Sequence, residues 1–440
     1  MSRHKKLPKE PFPATIESLS HEGRGIAHVN NKAVFIDGTL PGEEVLFEYR
    51  NRGGRFDQGK LTRIEKASPE RIEPRCRHYG ICGGCSLQHL PSDAQLRHKQ
   101  SVLLEQLEHI GEVQPESVMP PLAGLAWNYR SRARLSAKYV DKKDKMLIGF
   151  RERYSPFVAD LGRCEILRHP VGELLQSLQE LLAGLSIFRQ VPQIEVAVAD
   201  NVTALVLRHL DEFSSEDILR LRKFENLHNI EFYLQPGGPD TVGSLTPEKH
   251  TPLTYHLPEY DLEFFFQPLD FIQNNTGMNR KMVRQAIELL APDKTDRVLD
   301  LFCGLGNFSL PLALNAGNVI GIEGDAGLIE RAQVNARHNR IDNVEYYCAN
   351  LTDEKLHAAF LQQTFQKILL DPPRTGAQEI LRQLKFEQTD RLVYVSCNPA
   401  TMARDAGILV HENGFQLKRA GVVDMFPHTS HLESIALFER

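Results

Sequence analysis

Hydrophobic positions fall into three successive regimes along the chain. Between residues 14 and 65, short alternating runs are separated by glycine turns. Ala33-Val34-Phe35-Ile36 ends at Asp37-Gly38, and Pro41-Gly42 opens Val45-Leu46-Phe47-Glu48-Tyr49. Such runs predict half-buried strands, and several in succession predict a small OB-like β-barrel. Ser68-Pro69 and Glu73-Pro74 mark a linker. In the second regime, Val102, Leu103, Leu107 and Ile110 have helical spacing over residues 101–110, with Gly111 as a stop. Residues 129–140 read as a strand with Arg130, Arg132 and Arg134 on one face, and residues 194–207 as a hairpin turning at Asp200-Asn201. After Gln267 strand-like runs alternate with helical ones. The strands are expected at 297–302, 319–323, 344–348, 368–370, 392–395, 415–417 and 434–438, an order that predicts a doubly wound α/β sheet.

These regimes predict three domains in the 440 residues: an OB-like barrel at 8–66, a central α+β domain at 67–266 and an α/β Rossmann-like domain at 267–440. No internal repeat or low-complexity segment interrupts them. No apolar run reaches the ~18–20 residues needed to span a membrane. The basic start Met1-Ser2-Arg3-His4-Lys5-Lys6 has no apolar signal core behind it, so a cytoplasmic protein is expected.

The net charge of −5 hides an uneven distribution. Residues 126–168 hold 11 Lys/Arg against 5 Asp/Glu, and residues 1–75 hold 14 against 11. Basic patches of this kind can grip a phosphate backbone although the whole chain is mildly acidic. Arg130, Arg132, Arg134 and the OB-like domain are the candidates for that grip.

Candidate chemistry concentrates in the last regime. Asp300-Leu301-Phe302-Cys303-Gly304-Leu305-Gly306-Asn307 places a glycine turn directly after a strand, where backbone N–H groups can approach a ligand closely. Glu323 ends the second strand, placed to accept hydrogen bonds from ribose hydroxyls, and Asn350 ends the third, where an amide can meet an adenine edge. No third glycine stands at the dinucleotide spacing, where Ser309 is found instead. S-adenosylmethionine is therefore favoured over NAD. Asp371 opens Asp371-Pro372-Pro373-Arg374 at the end of the fourth strand.

Cys397 ends the fifth strand in Ser396-Cys397-Asn398-Pro399. Its position before a helix N-terminus favours thiolate. Methylating the C5 carbon of a uracil needs a thiolate to add to C6, a nearby methyl donor, and a base to remove the C5 proton. Glu433, just before the last apolar run, can be raised in pKa by burial and serve as that base. His428 and His431 compete for the role. Cys76, Cys82 and Cys85 crowd into ten residues, with Cys164 the next cysteine. Four thiolates could hold a [4Fe–4S] cluster or a structural zinc, and the single Cys-x2-Cys pair leans toward the cluster.

The segments Asp300–Asn307, Asp371–Arg374, Ser396–Pro399 and His431-Leu432-Glu433-Ser434 resemble the signatures of the RNA uracil-C5 methyltransferases. That resemblance implies Cys397 as nucleophile and Glu433 as base. It implies S-adenosylmethionine contacts at Gln267, Phe302, Asn307, Glu323, Asn350 and Asp371. Arg374 stands where cytosine-C5 enzymes carry a second cysteine, which favours uracil. Residues 14–66 resemble a TRAM domain, an RNA-binding module. Cys76-x5-Cys82-x2-Cys85 with Cys164 is similar to the iron–sulfur pattern of the members acting on ribosomal RNA. The resemblance thus implies a [4Fe–4S] cluster and a single-stranded or flipped-out uridine of 23S rRNA as substrate. No membrane association and no protein partner are expected, and the chain is expected to act as a monomer.

Overall fold

A computed structural model of the chain describes residues 7–8, 10–249, 251–356 and 358–440, Lys249 without its side chain. The basic stretch Met1 to Lys6 lies outside the described residues. Two compact units are present. One comprises Met1–Val102, Arg151–Phe157 and Phe426–His431; the other comprises Leu103–Phe150, Val158–Met425 and Leu432–Arg440.

The first unit contains a six-stranded sheet in the order Phe12–Thr15, Glu44–Arg52, Asp57–Lys66, Lys32–Ile36, Gly25–Val29 and Ser18–Leu19. Alternation in these strands turns Ala27, Val34, Ile36, Val45, Phe47 and Tyr49 into one core, as expected of the OB-like pattern. The 68–74 linker is pinned to this core. Arg71 holds the buried Glu43 carboxylate with a two-pronged grip, Nε to Oε1 at 2.5 Å and Nη2 to Oε2 at 2.8 Å. The same carboxylate accepts the Leu40 N–H at 2.8 Å.

Two distant segments complete this unit. Arg151–Phe157 runs beside the cysteine-bearing loop: Gly83 N–H donates to Arg151 O at 2.9 Å, and Arg153 N–H to Ile81 O at 2.8 Å. Phe426–His431 supplies the His428 carbonyl, which accepts from both Ser86 and Leu87 N–H. Gln95 Oε1 in turn accepts the His428 N–H at 2.8 Å.

The second unit holds two large sheets. The mixed sheet runs Gly243–Ser244, Ile230–Gln235, Thr203–Arg208, Gln193–Val198, Arg132–Val140, Lys145–Gly149. The hairpin expected at 194–207 is there, closing with Val198 opposite Thr203. The strand begins at Arg132 rather than residue 129, and its arginines do not form a vacant cationic face. Arg132 donates to the Pro268 carbonyl, Arg134 to Glu195, and Arg130 Nε to the Arg132 carbonyl at 2.9 Å. Arg132 is thereby turned inward, while the Arg134 side chain stays 72% exposed beside Glu195.

The last sheet has eight strands: Val344–Cys348, Asn318–Glu323, Arg297–Leu301, Lys367–Leu370, Arg391–Ser396, Glu433–Glu439, Gln416–Val423 and Ser117–Val118. The first five are parallel, as the alternating pattern predicts. Glu433–Glu439 inserts antiparallel between Arg391–Ser396 and Gln416–Val423. The short edge strand Ser117–Val118 was not expected. Among the described residues no helix is long and apolar enough to cross a membrane.

Candidate active site

The parallel strands end along one edge of the eight-stranded sheet, where the candidate side chains gather. After Arg297–Leu301 the chain turns with φ of +64° at Phe302, +54° at Gly304 and +88° at Gly306. A left-handed φ is costly for a ring-bearing residue, so Phe302 is strained. At Gly306 a side chain is impossible without displacement: its Cβ would lie 2.5 Å from the Tyr346 hydroxyl. At Gly304 the same position faces open space.

Glu323 braces this turn. Its Oε2 accepts the Gly304 N–H at 3.1 Å, and its Oε1 accepts from Gly324 at 2.7 Å and Asp325 at 3.2 Å. Asn307 exchanges two amide hydrogen bonds with Asn279, at 2.9 and 3.0 Å, and accepts the Tyr255 hydroxyl at 3.1 Å. Asn350 lies two residues beyond its strand and accepts from the Thr352 N–H and hydroxyl. Gln267 is exposed just after the Leu262–Phe266 strand. That strand is tied to the glycine turn through Asn335, whose Nδ2 donates to Phe265 O at 3.2 Å and Leu305 O at 3.3 Å.

Asn279, Asn335 and Tyr255 were absent from the sequence-based set. Asn279 and Asn335 sit inside helices, where an asparagine gives no signal. The hairpin Leu253–Leu257 and Leu262–Phe266 that carries Tyr255 was also unforeseen, although its alternating apolar residues around Pro258-Glu259 could have revealed it.

Beneath the turn, Asp300 is fully buried and accepts the Ser309 hydroxyl. Burial pushes its carboxyl up to about 7, opposed by the Ser309 bond and reinforced by Asp371 and Glu323.

Sheet register creates the second half of the site. Ser396 faces Ser434 across the antiparallel ladder, so the next pair outward is Cys397 with Glu433. Asp371 follows Leu370 on the adjacent parallel strand. Burial pushes the Asp371 carboxyl up to about 7 although it keeps some solvent contact. Glu433 is almost completely buried, and its carboxyl is raised well above the usual range by that burial and by Asp371, with Arg374 opposing. The Cys397 thiol, half-buried, is pushed up to about 11 by burial and then by Glu433 and Asp371, with Arg374 pulling the other way. Burial thus works against the thiolate that the helix N-terminus was expected to favour. The helix Pro399–Gly407 that follows has its first turn capped by Asn398.

Asn398 also ties the two loops together. Its Oδ1 accepts the Ala400 N–H at 3.2 Å while its Nδ2 donates to the Arg374 carbonyl at 2.8 Å. Asp405, fully buried, accepts the Tyr394 hydroxyl at 2.6 Å and the Ala377 N–H at 2.7 Å. Neither residue was assigned a function from sequence. An asparagine before a proline is an N-cap signature and could have drawn attention to Asn398.

The competing histidines stand otherwise. His428 is buried with Nδ1 3.2 Å from Gln95 Nε2, and His431 is exposed. Cys76, Cys82 and Cys85 are half-buried in the first unit, and Cys164 is buried in the second. Gly84 N–H points at Cys82 Sγ, 3.4 Å away. Among the described residues no group of three or more His, Cys, Asp or Glu side chains is drawn together as a metal site.

A strand order with one antiparallel insertion, a glycine turn braced by an acid, and a cysteine–carboxyl cluster at the strand ends define the fold of an S-adenosylmethionine-dependent methyltransferase. Residues 93–440 match the tRNA (uracil-5-)-methyltransferase family and residues 8–48 match the TRAM domain. The chain belongs to the tRNA (uracil-5-)-methyltransferase family. It is 51% identical over 440 residues to the 23S rRNA (uracil(1939)-C(5))-methyltransferase RlmD of Nitrosococcus oceani, spanning 100% of this chain and 98% of that protein. It is 49% identical over 438 residues to the protein of the same name from Methylococcus capsulatus, spanning 100% and 99%. In fold it is similar to the Pyrococcus abyssi tRNA (uracil-54, C5)-methyltransferase crystallised with S-adenosyl-L-homocysteine. The TM-score is 0.73 at 22% identity, over 97% of this chain and 100% of that one.

Asp300 makes stability pH-dependent. Its pKa is raised by folding, so its contribution is complete below the unfolded value near 4 and is lost as pH climbs through about 7. An asparagine in its place would still accept the Ser309 hydroxyl. Urea unfolding from pH 4 to 8 should therefore show wild type losing stability relative to Asp300→Asn, by on the order of 3–4 kcal/mol. A difference that stays flat across this range contradicts the burial argument.

Proposed function

We propose that this chain transfers a methyl group from S-adenosylmethionine to C5 of a uridine in 23S rRNA, of the uracil-1939 type for which its relatives are named. The observation that carries this reading is the convergence of Cys397, Glu433, Asp371 and Arg374 beside the glycine turn. S-adenosylmethionine supplies an electrophilic methyl group. Gln267, Phe302, Asn307, Glu323, Asn350 and Asp371 are the residues assigned to hold it. Glu323 offers carboxylate lone pairs for ribose hydroxyls, and the open side of Gly304 leaves room for close approach.

Cys397, its thiol proton released to solvent, adds as thiolate to C6 of the uracil, and the electron pair moved onto the ring lets C5 take the methyl group. Glu433 then removes the C5 proton, the C5–C6 double bond re-forms, and the thiolate leaves. Burial and the neighbouring Asp371 raise the Glu433 carboxyl, which makes its ionised form a stronger base for this proton. Arg374 provides the positive charge that favours thiolate when Cys397 reacts. A stacked base cannot present C6 to a thiol, so the target uridine is single-stranded or flipped out.

Residues 8–66 and 67–266 are assigned to RNA contact and residues 267–440 to methyl transfer. Cys76, Cys82, Cys85 and Cys164 are assigned to a [4Fe–4S] cluster, a ligand set supported by its all-sulfur chemistry and by the Gly84 N–H directed at Cys82 Sγ. Such a cluster would cross-link its loop. One chain carries every group the reaction needs, so the protein is proposed to act as a cytoplasmic monomer.

Cys397→Ala should abolish methylation of rRNA while S-adenosylmethionine binding, measured by calorimetry, stays near wild type. Substantial turnover by the purified variant removes Cys397 as nucleophile. Glu433→Gln should stall after methyl transfer and leave a covalent protein–RNA species on a denaturing gel. Product release at the normal rate without that band points to another base.

Protein purified without air should carry iron and acid-labile sulfide, lost from Cys82→Ser. Stoichiometric zinc without sulfide overturns the cluster assignment.

A further inference from the structure

The methyl-transfer reading leaves a second group of rings and guanidiniums unused, on the outer face of the first unit's six-stranded sheet. Val34 and Ile36 are buried, so Phe35 between them points outward. Phe56 meets Phe35 edge-on at 5.2 Å and remains 44% exposed. The Arg24 guanidinium lies 5.1 Å from the Phe35 ring centre. Two residues on from Phe35, and so on the same face, Asp37 accepts the Tyr154 hydroxyl at 2.7 Å and pairs with Arg153 at 3.5 Å. Arg50, from the Glu44–Arg52 strand, stacks on the Tyr154 ring at 3.9 Å.

Tyr154 and Phe157 come from the Arg151–Phe157 segment, and they are 54% and 69% exposed. The segment's backbone is pinned at both ends of its turn. Glu152 N–H donates to Phe157 O at 2.8 Å, and Ser155 Oγ accepts the Phe157 N–H at 3.1 Å. Tyr154 has φ of +58°, a strained backbone for a ring-bearing residue. Strain, a clamped hydroxyl and a stacked guanidinium fix a ring that nonetheless faces water.

Charge decides what this face suits. Residues 50–66 carry six Lys/Arg against two Asp/Glu, and residues 151–157 carry two against one. Rings interleaved with guanidiniums on a basic surface bind successive bases by stacking while the cations meet phosphates. Duplex RNA offers no unstacked bases for such rings. We propose that Phe35, Phe56, Arg50, Tyr154 and Phe157 form a stacking platform for single-stranded nucleotides of the RNA substrate, completed by the Arg151–Phe157 segment. This rests on the RNA reading above and adds where unpaired bases lie.

The test uses the full-length protein, with fluorescence anisotropy of labelled oligouridylate and steady-state methylation of an rRNA fragment. Tyr154→Ala and Phe157→Ala should each weaken oligouridylate binding roughly tenfold. They should raise KM for the fragment while leaving kcat and S-adenosylmethionine affinity near wild type. Tyr154→Phe, which keeps the ring and loses only the Asp37 bond, should bind like wild type. If wild type binds and methylates RNA while both alanine variants match it, the platform is wrong and the RNA reading stands. If Tyr154→Phe loses as much as Tyr154→Ala, the ring is not what binds. If wild type neither binds nor methylates any RNA, the RNA reading itself fails.

Discussion

The site depends on one register. Cys397 and Glu433 are 36 residues apart in sequence and become neighbours only because Ser396 pairs with Ser434 across an antiparallel ladder. A slip by one residue would turn every side chain of the Glu433–Glu439 strand to the opposite face. That strand is buried along nearly its whole length between two partners, so the slip would expose apolar residues from both faces. Core burial therefore sets the distance between Cys397 and Glu433, and the loops need only be stapled onto it. Asn398 and Asp405 do that stapling, drawing the Asp371–Arg374 loop against the helix that follows Cys397.

The same burial sets the resting electrostatics. Two carboxyl groups and one thiol share a space with a single guanidinium, and low polarity disfavours every negative charge there. The result is a thiol held protonated until something changes its surroundings.

Much of this was legible in the chain. The five parallel strands announce themselves by apolar runs bounded by turns, and the chemistry-bearing residues stand at their carboxyl ends, where the doubly wound topology must deliver them. Three kinds of feature were not. The Ser117–Val118 edge strand is two residues long and has no periodicity to read. The helix beginning at Ser92 was placed nine residues too late, because its first half is polar and only Val102 onward shows a stripe. The partners of Arg132 and Arg134 are a remote carbonyl and a cross-strand acid, which no local pattern encodes. Charge counting along the sequence thus could not tell the inward-turned Arg132 from the exposed Arg134.

The discontinuity of the first unit bears on how the chain comes into being. Domains made first ordinarily finish folding first as synthesis proceeds. Here the barrel strands are complete by Lys66, but the cysteine-bearing loop beside them is closed by Arg151–Phe157 and by the carbonyl of His428. The cysteine-bearing loop must therefore wait for Arg151–Phe157 and Phe426–His431 before these hydrogen bonds are satisfied. Contacts spanning more than three hundred residues are among the slower ones to form. Truncated products, lacking His428, would then carry a barrel without its sealed loop.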